Sequence, residues 1–452
     1  MLRRLCAVLL GFTLLGSVRA ESPASDPVAR MQQIIHSYVD NKSFMGTVLT
    51  VKDGKTLVSQ GYGSADLEWN IPNTPTTKFR LGSITKQFTA ASILLLVERG
   101  KLNIEDPISK YLPDAPEAWK KITIYNLLTH TSGIPNFTSF PDYRSTEWKD
   151  TNPAEIVARF RDKPLDFEPG SKFSYSNSGY ILLGYLIEKI SGQNYADFLQ
   201  RNIFTPLGMA DTGIDSNKAI LLQRAQGYEP ASHGSIVHTG YISMTLPFSA
   251  GSLYSTTGDL LKWEQALFAG KVLTPTSLTR MTTPFRNNYA MGLFVTERGG
   301  HKLITHGGGI EGFNTSMAYY PDDKLVVIVL GNLSGGAPDR IASALGKVAL
   351  GQQVTLISER KEIAVSRSIL SDYVGTYHIA DFGADLVVAL KGDRLTAKLG
   401  RQPVVDIFAE SENTFFLKVV DAQMEFIRDP TTQAVNRLVL YQNDTQHEGS
   451  KQ

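Results

Sequence analysis

One cysteine in 452 residues, Cys6, is the scarcest resource of this chain. It excludes an internal disulfide, a four-cysteine metal site and a cysteine dyad, each of which needs at least two thiols. An excess of charge of one sign is lacking too, because 45 Lys and Arg stand against 44 Asp and Glu, mixed along the sequence. That balance offers no electrostatic reason to expect a nucleic-acid groove or an anionic membrane surface as partner. Internal repeats and low-complexity tracts are absent, and a hydrophobic fraction of 42% is ample for packed cores. With 452 residues the chain exceeds what one core usually serves, so two domains are expected.

The N-terminus speaks to compartment. Met1 to Arg4 is basic, Leu5 to Leu15 is mostly apolar, and Ser17-Val18-Arg19-Ala20 sets small residues just before the polar Glu21-Ser22-Pro23. This reads as a secretory signal peptide over residues 1–20, too short in its apolar part to span a bilayer. Its removal takes away Cys6 and three arginines, leaving 42 basic groups against 44 acidic ones. The product is expected in the periplasm or the medium, without stable membrane insertion and held by packing alone.

Along the rest of the chain, Met45 to Gly63 alternates and turns at Asp53-Gly54, as a β-hairpin does. Ser83 to Arg99 reads as a long helix stopped by Gly100, and helical segments continue to about Gly270. Thr315 to Tyr320 and Leu325 to Leu330 form a second hairpin, and Asp339 to Leu350 a closing helix. Strands at both ends with helices between predict one mixed sheet completed by the two ends of the domain. The charged run Ser358 to Glu362 reads as part of a linker. Beyond it, alternating segments such as Asp385 to Leu390, Arg394 to Leu399 and Arg437 to Tyr441 predict a small antiparallel barrel or sandwich.

Three short motifs carry candidate chemistry. Ser83-Ile84-Thr85-Lys86 opens the long helix, so the lysine follows one turn after the serine on nearly the same face. A helix-start N–H can hold an oxyanion, and a desolvated amine can activate a hydroxyl. Ser358 and Lys361 share that spacing in the linker, so the pattern alone is also that of a capping serine with a solvated lysine. Tyr175-Ser176-Asn177 follows the turn at Pro169-Gly170; a phenol beside a lysine can relay a proton, and an asparagine can orient both the lysine and a substrate amide. Tyr441-Gln442-Asn443 repeats that spacing within the β-rich tail. Of two His-x-Gly segments, His238-Thr239-Gly240 is loop-like, whereas His306-Gly307-Gly308 leads into a hairpin, where glycines admit a substrate backbone to a strand edge. Gly307 to Gly312 also fits G-x-G-x-x-G, but strand residues follow where a dinucleotide site needs a helix.

Serine-lysine, tyrosine-asparagine and histidine-glycine in this order resemble the penicillin-recognising serine hydrolases: class C β-lactamases, D-alanyl-D-alanine carboxypeptidases, D-amino-acid peptidases and related esterases. Asp106-Pro107-Ile108, Leu127-Leu128-Thr129-His130-Thr131-Ser132-Gly133-Ile134-Pro135, Pro206-Leu207-Gly208-Met209 and Gly251 to Thr256 extend the resemblance over residues 30 to 350. The tail from Leu370 to Tyr377 resembles the lipocalin-like barrel appended to some relatives. The implied fold is α/β (α+β), a mixed antiparallel sheet flanked by helices with an all-helical region, plus a small all-β barrel. Its expected limits are a hydrolase domain over 21–350, a linker over 351–368 and the barrel over 369–452.

By the same resemblance Ser83 is the nucleophile that forms an acyl-enzyme, and Lys86 and Tyr175 share its activation and the proton transfer to the leaving group. Asn177 orients Lys86 and substrate. The N–H groups of Ser83 and Gly309 form the oxyanion hole, while His306 and Gly308 line the substrate edge. Histidine at 306 stands where many relatives carry lysine, so a permanent cation for a substrate carboxylate is absent. His130 belongs to a segment that is structural in the family, and is expected in a packed loop. No cofactor is expected and no metal, because none of the eight histidines falls into a ligand spacing and no P-loop occurs. The substrate is expected to be a peptide with D-residues or a cell-wall-like end, cleaved by peptidase or carboxypeptidase action as in relatives that also carry histidine there, with small esters or weak β-lactamase action as the alternative. A silent penicillin-recognising scaffold is the non-enzymatic rival. A GxSxG hydrolase is excluded, since that pentapeptide does not occur. The oligomeric state stays open.

Overall fold

The computed structural model describes residues 26–442 and 445–452. The signal-peptide reading and Cys6 lie outside them. The first helix, α1 (Pro27–Asp40), is set by Asp26, whose side chain accepts from the Val28 N–H, and by Pro27 at the first helical position. It buries Met31, Ile34 and Ile35, a three-and-four spacing that puts one stripe inward. β1 (Gly46–Lys52) and β2 (Lys55–Tyr62) then form the first hairpin, whose turn residues Asp53 and Gly54 have φ of 50° and 76°. Positive φ at both positions is the geometry that matches the natural twist of two paired strands.

Four more strands come from the far end of the domain: β3 (Phe294–Arg298), β4 (His301–Ile310), β5 (Phe313–Tyr320) and β6 (Leu325–Gly331). The sheet runs β3-β4-β5-β6-β1-β2, and β6 pairs antiparallel with β1 from Gly46↔Gly331 to Lys52↔Leu325. The two ends of the domain therefore close a single sheet, which joins segments nearly 300 residues apart in sequence.

Each sheet face is covered. On one, α1 and a later helix (Ala337–Ala349) bury Val48, Val58, Val327 and Val329. On the other sits the helical region, built around α2 (Thr85–Glu98) and α3 (Asn177–Ser191). From Thr85 to Leu96 every residue of α2 is buried, as befits a helix enclosed on all sides. α2 ends at Gly100, whose φ is 64°. A short sheet of Phe79–Arg80, Leu253–Ser255 and Gly213–Ile214 braces the segment that enters α2.

After a short helix (Arg367–Tyr373), eight strands from Gly375–Ile379 to Thr445–Lys451 form a closed antiparallel barrel in sequence order. Closure leaves no sheet edge unpaired, and the interior holds Tyr373 stacked on Phe426 at 4.3 Å with Tyr377 and Phe415 beside them. The charged run before the barrel is not a free tether. Arg30 of α1 binds Glu359 and the Val354 carbonyl, and Arg360 meets Glu410 at 2.8 Å.

Candidate functional site

Ser83 does not stand on the α-helix itself but on a 3-10 turn, Gly82–Ile84, which leads into α2 at Thr85. The turn is held from three directions. Leu81 N–H donates to Leu253 O at 2.8 Å, Thr315 Oγ1 donates to Leu81 O at 2.8 Å, and β4 crosses directly above. The crossing is possible only with glycine. A Cβ on Gly308 would stand 1.9 Å from Leu81 O, and one on Gly82, whose φ is +54°, would stand 2.8 Å from the Gly309 nitrogen. The backbone of Gly309 is thus brought against the residue that precedes the serine.

Lys86, one turn along, has no exposed surface. Its Nζ lies 2.9 Å from each of Ser83 Oγ, Asn177 Oδ1 and Ala250 O. Two of these partners are carbonyl oxygens and accept only; the third is a hydroxyl. The geometry fits the ammonium, which donates to all three, and equally the neutral amine, which donates to the two carbonyls and accepts from the serine. Burial holds the lysine well below its ordinary range, which favours the neutral form.

Tyr175 reaches the pair from the loop before α3, and Lys86 Nζ is 4.9 Å from its ring. Burial raises its phenol, offset in part by the Ser83 hydroxyl, so Tyr175 carries its proton at neutral pH. Asn177 is the first residue of α3 and has a fixed orientation. Its Oδ1 faces Lys86, its Nδ2 donates to Thr138 Oγ1 at 3.2 Å, and its backbone N–H donates to Asn136 Oδ1 at 3.0 Å.

His306 is brought to the same place but not as a cation. Only 3% exposed, it donates from Nδ1 to Gly307 O at 2.6 Å and accepts at Nε2 from the Tyr289 hydroxyl at 3.2 Å. Burial first, and then Lys86, push its pKa down to about 3. The missing lysine charge of the third motif is therefore not replaced by an imidazolium at neutral pH.

The remaining sequence candidates separate cleanly. His130 is buried beside Tyr175, with ring centroids 4.2 Å apart. His238 is half exposed and pairs with Glu68 at 3.0 Å, on a two-stranded ribbon, Tyr228–Pro230 with Ile236–His238. Ser358 lies in a 3-10 turn before the barrel, and Tyr441 lies in a barrel strand bonded to Glu425. Spacing did not single out Tyr289, Tyr180 or the Ala250 carbonyl. Tyr289 lies in the segment before β3, and its contact with His306 depends on folding rather than on any local pattern.

The arrangement suits acyl transfer: a hydroxyl against a fully buried amine whose pKa is lowered, a protonated phenol alongside, and a glycine-rich strand passing over the serine turn. The chain matches the Beta-lactamase family over residues 31–350 and a Domain of unknown function (DUF3471) over residues 359–450. Penicillin-binding protein 4* of Bacillus subtilis (strain 168) is 30% identical over 446 residues, covering 92% of this chain and 97% of the relative. Among solved structures, the octameric penicillin-binding protein homologue from Pyrococcus abyssi superposes with a TM-score of 0.68 at 26% identity, covering 94% of this chain and 100% of that one. The D-amino acid amidase from Ochrobactrum anthropi SV3 gives 0.64 at 28% identity, over 72% of this chain and 98% of its own. This chain belongs to the Beta-lactamase family and is a serine hydrolase of the β-lactamase and penicillin-binding protein superfamily, extended at its C-terminus by a closed β-barrel.

Proposed function

We propose that the protein is an exported hydrolase that cleaves an amide or ester next to a D-residue through an acyl-Ser83 intermediate. The observation that carries the reading is the three-way contact of Lys86 Nζ, at 2.9 Å each, which holds the amine against the Ser83 hydroxyl; as the neutral amine it turns its lone pair to that hydroxyl. Lys86 takes the Ser83 proton as Oγ bonds to the carbonyl carbon. The N–H groups of Ser83 and Gly309 receive the negative oxygen. When the bond to the leaving group breaks, Tyr175 gives its proton to the departing atom and regains one from the Lys86 ammonium, so the pair ends as it began. Water then hydrolyses the ester by the same path in reverse.

The likeness to a D-amino acid amidase supports the D-residue, and the leader pattern at residues 1–20 supports export to the periplasm or medium. Neutral His306 favours an uncharged amide or ester over a free carboxylate at the end it faces, which weighs toward amidase, aminopeptidase or esterase action rather than carboxypeptidase action. A fluorophosphonate probe is expected to label the wild type and not Ser83→Ala. Equal labelling of both, or of neither, sinks the acyl-serine reading. A panel of D- and L-alanyl peptides, a chromogenic cephalosporin and short-chain nitrophenyl esters ranks the substrates; turnover of the cephalosporin alone overturns the D-residue assignment.

A further inference from the structure

His130 grips the tyrosine of the second motif from both sides. Its carbonyl oxygen accepts from the Ser174 N–H at 2.9 Å, and its Nδ1 accepts from the Ser176 N–H at 3.1 Å. These are the residues on either side of Tyr175. The imidazole also packs on the Tyr175 ring, at a centroid distance of 4.2 Å and a tilt of 38°. One residue thus fixes the peptide before the tyrosine, the peptide after it and the plane of its ring.

Two further features distinguish this from ordinary packing. His130 has a φ of 55°, in the left-handed region that is uncommon for residues other than glycine. Because Nδ1 accepts, the ring proton sits on Nε2, and that buried N–H has no hydrogen-bond partner. A residue kept merely to fill space gains nothing from an unpaired polar atom, and a hydrophobic ring would fill the same space without leaving one. What histidine adds here is an acceptor in the ring plane. The charged and titratable groups around it are Lys86, Tyr175, Tyr180, Tyr289 and His306.

We infer that His130 is a positioning residue which, as a neutral acceptor, holds the Tyr175 hydroxyl where it delivers a proton to the leaving group. The inference rests on the acyl-serine reading and assigns a specific step within it. Proton delivery matters when the leaving atom is a basic amide nitrogen and hardly at all when it is a nitrophenolate, which departs as an anion. Loss of the clamp therefore slows amide cleavage selectively, whereas general damage to the fold slows both.

The test uses the full chain with D-alanine 4-nitroanilide and p-nitrophenyl acetate as probes. His130→Phe keeps a ring and loses the acceptor; kcat/KM on the anilide, which reports the acylation step, is expected to fall about 10²-fold, against a fall of less than about 3-fold in kcat/KM on the acetate. His130→Asn keeps a short acceptor, tolerates left-handed backbone, and is expected to restore most of the anilide rate. In a Tyr175→Phe background, His130→Phe is expected to cost nothing further. Equal losses on the two probes, no rescue by asparagine, or additive losses in the double variant overturn the inference. If the phenylalanine chain does not fold, His130→Gly, which relieves the backbone and still removes the acceptor, takes its place with the same expectations. A wild type that fails fluorophosphonate labelling instead refutes the underlying acyl-serine reading, which keeps the two failures apart.

Discussion

Asn177 Oδ1 stands 2.9 Å from Lys86 Nζ while its Nδ2 donates to Thr138 Oγ1 at 3.2 Å, so both ends of the amide are partnered. A neutral carbonyl next to the amine supports it without favouring the ammonium as strongly as a carboxylate does. Asn177→Asp replaces that carbonyl with an anion of the same shape. The anion stabilises the ammonium and raises the lysine from its depressed value. With Lys86 as the proposed base, the acid limb of the kcat/KM profile is expected to move to higher pH, and each unit of movement removes about tenfold of activity on that limb. A profile that stays in place or moves the other way removes Lys86 from the role of base.

Gly308 decides how closely β4 crosses the serine turn. A methyl there would stand 1.9 Å from Leu81 O and 2.4 Å from Thr315 Oγ1, and backbone at that distance cannot yield without moving the strand. Gly308→Ala is therefore expected to lift Gly309 away from Ser83 and open the oxyanion hole. The loss in kcat is expected to be on the order of 10²-fold or more on ester and anilide alike, because both pass through the same oxyanion. Fluorophosphonate labelling should slow in parallel. Retention of full activity argues that the Gly309 N–H does not serve the oxyanion.

His306 gives a prediction about charge. With its proton on Nδ1 bound to Gly307 O and its Nε2 bound by Tyr289, and with a pKa of about 3, it stays neutral through the physiological range. A D-alanyl peptide ending in a free carboxylate and the same peptide ending in an amide are expected to differ by less than about 10-fold in kcat/KM, with any preference going to the amide. A large preference for the carboxylate that vanishes in His306→Gln reverses the assignment.

How much of this could be read before folding depends on the range of the contact. Ser83 and Lys86 are three apart, so helical geometry alone brings them together, and the Asp53-Gly54 turn announces its hairpin by residue type. Tyr175 and Asn177 are local to each other but remote from Lys86; only their order in the chain linked them to it. Tyr289 and the Ala250 carbonyl had no signal of either kind, because a backbone oxygen has no residue identity and an aromatic residue near a strand reads as core. Placing Ser83 on the α-helix missed the 3-10 turn, which exists because Gly82 adopts positive φ under the crossing strand. The charged Ser358 to Glu362 run reads as solvated linker until Arg30 and Glu410 are seen to hold it from both sides. In the barrel, alternation exposed Ala384–Lys391, Arg394–Leu399 and Val435–Gln442, whereas Thr445–Lys451 carries no large apolar residue to alternate.

A buried acid far from the three motifs supplies a test of stability. Glu264 is 4% exposed, has no hydrogen-bond partner among the described residues, and lines a cavity with Phe268 and Tyr319; burial pushes its pKa up from 4.5 to about 8. The folded chain thus keeps a proton that the unfolded chain releases between those two values. In that window the folded state binds more protons than the unfolded one, so the contribution of Glu264 to stability falls as pH rises, with a slope of up to about 1.4 kcal/mol per pH unit. It is fully retained below the unfolded value and fully lost above the folded one. Glu264→Gln preserves the shape and cannot ionise. Thermal unfolding of the two chains is expected to give similar midpoints near pH 4.5 and a widening advantage for the glutamine chain up to about pH 8, where the difference levels off. Because all other titrating groups are common to both chains, their contributions cancel in the comparison. A difference independent of pH means that Glu264 finds a partner or water that keeps it ionised in the folded state.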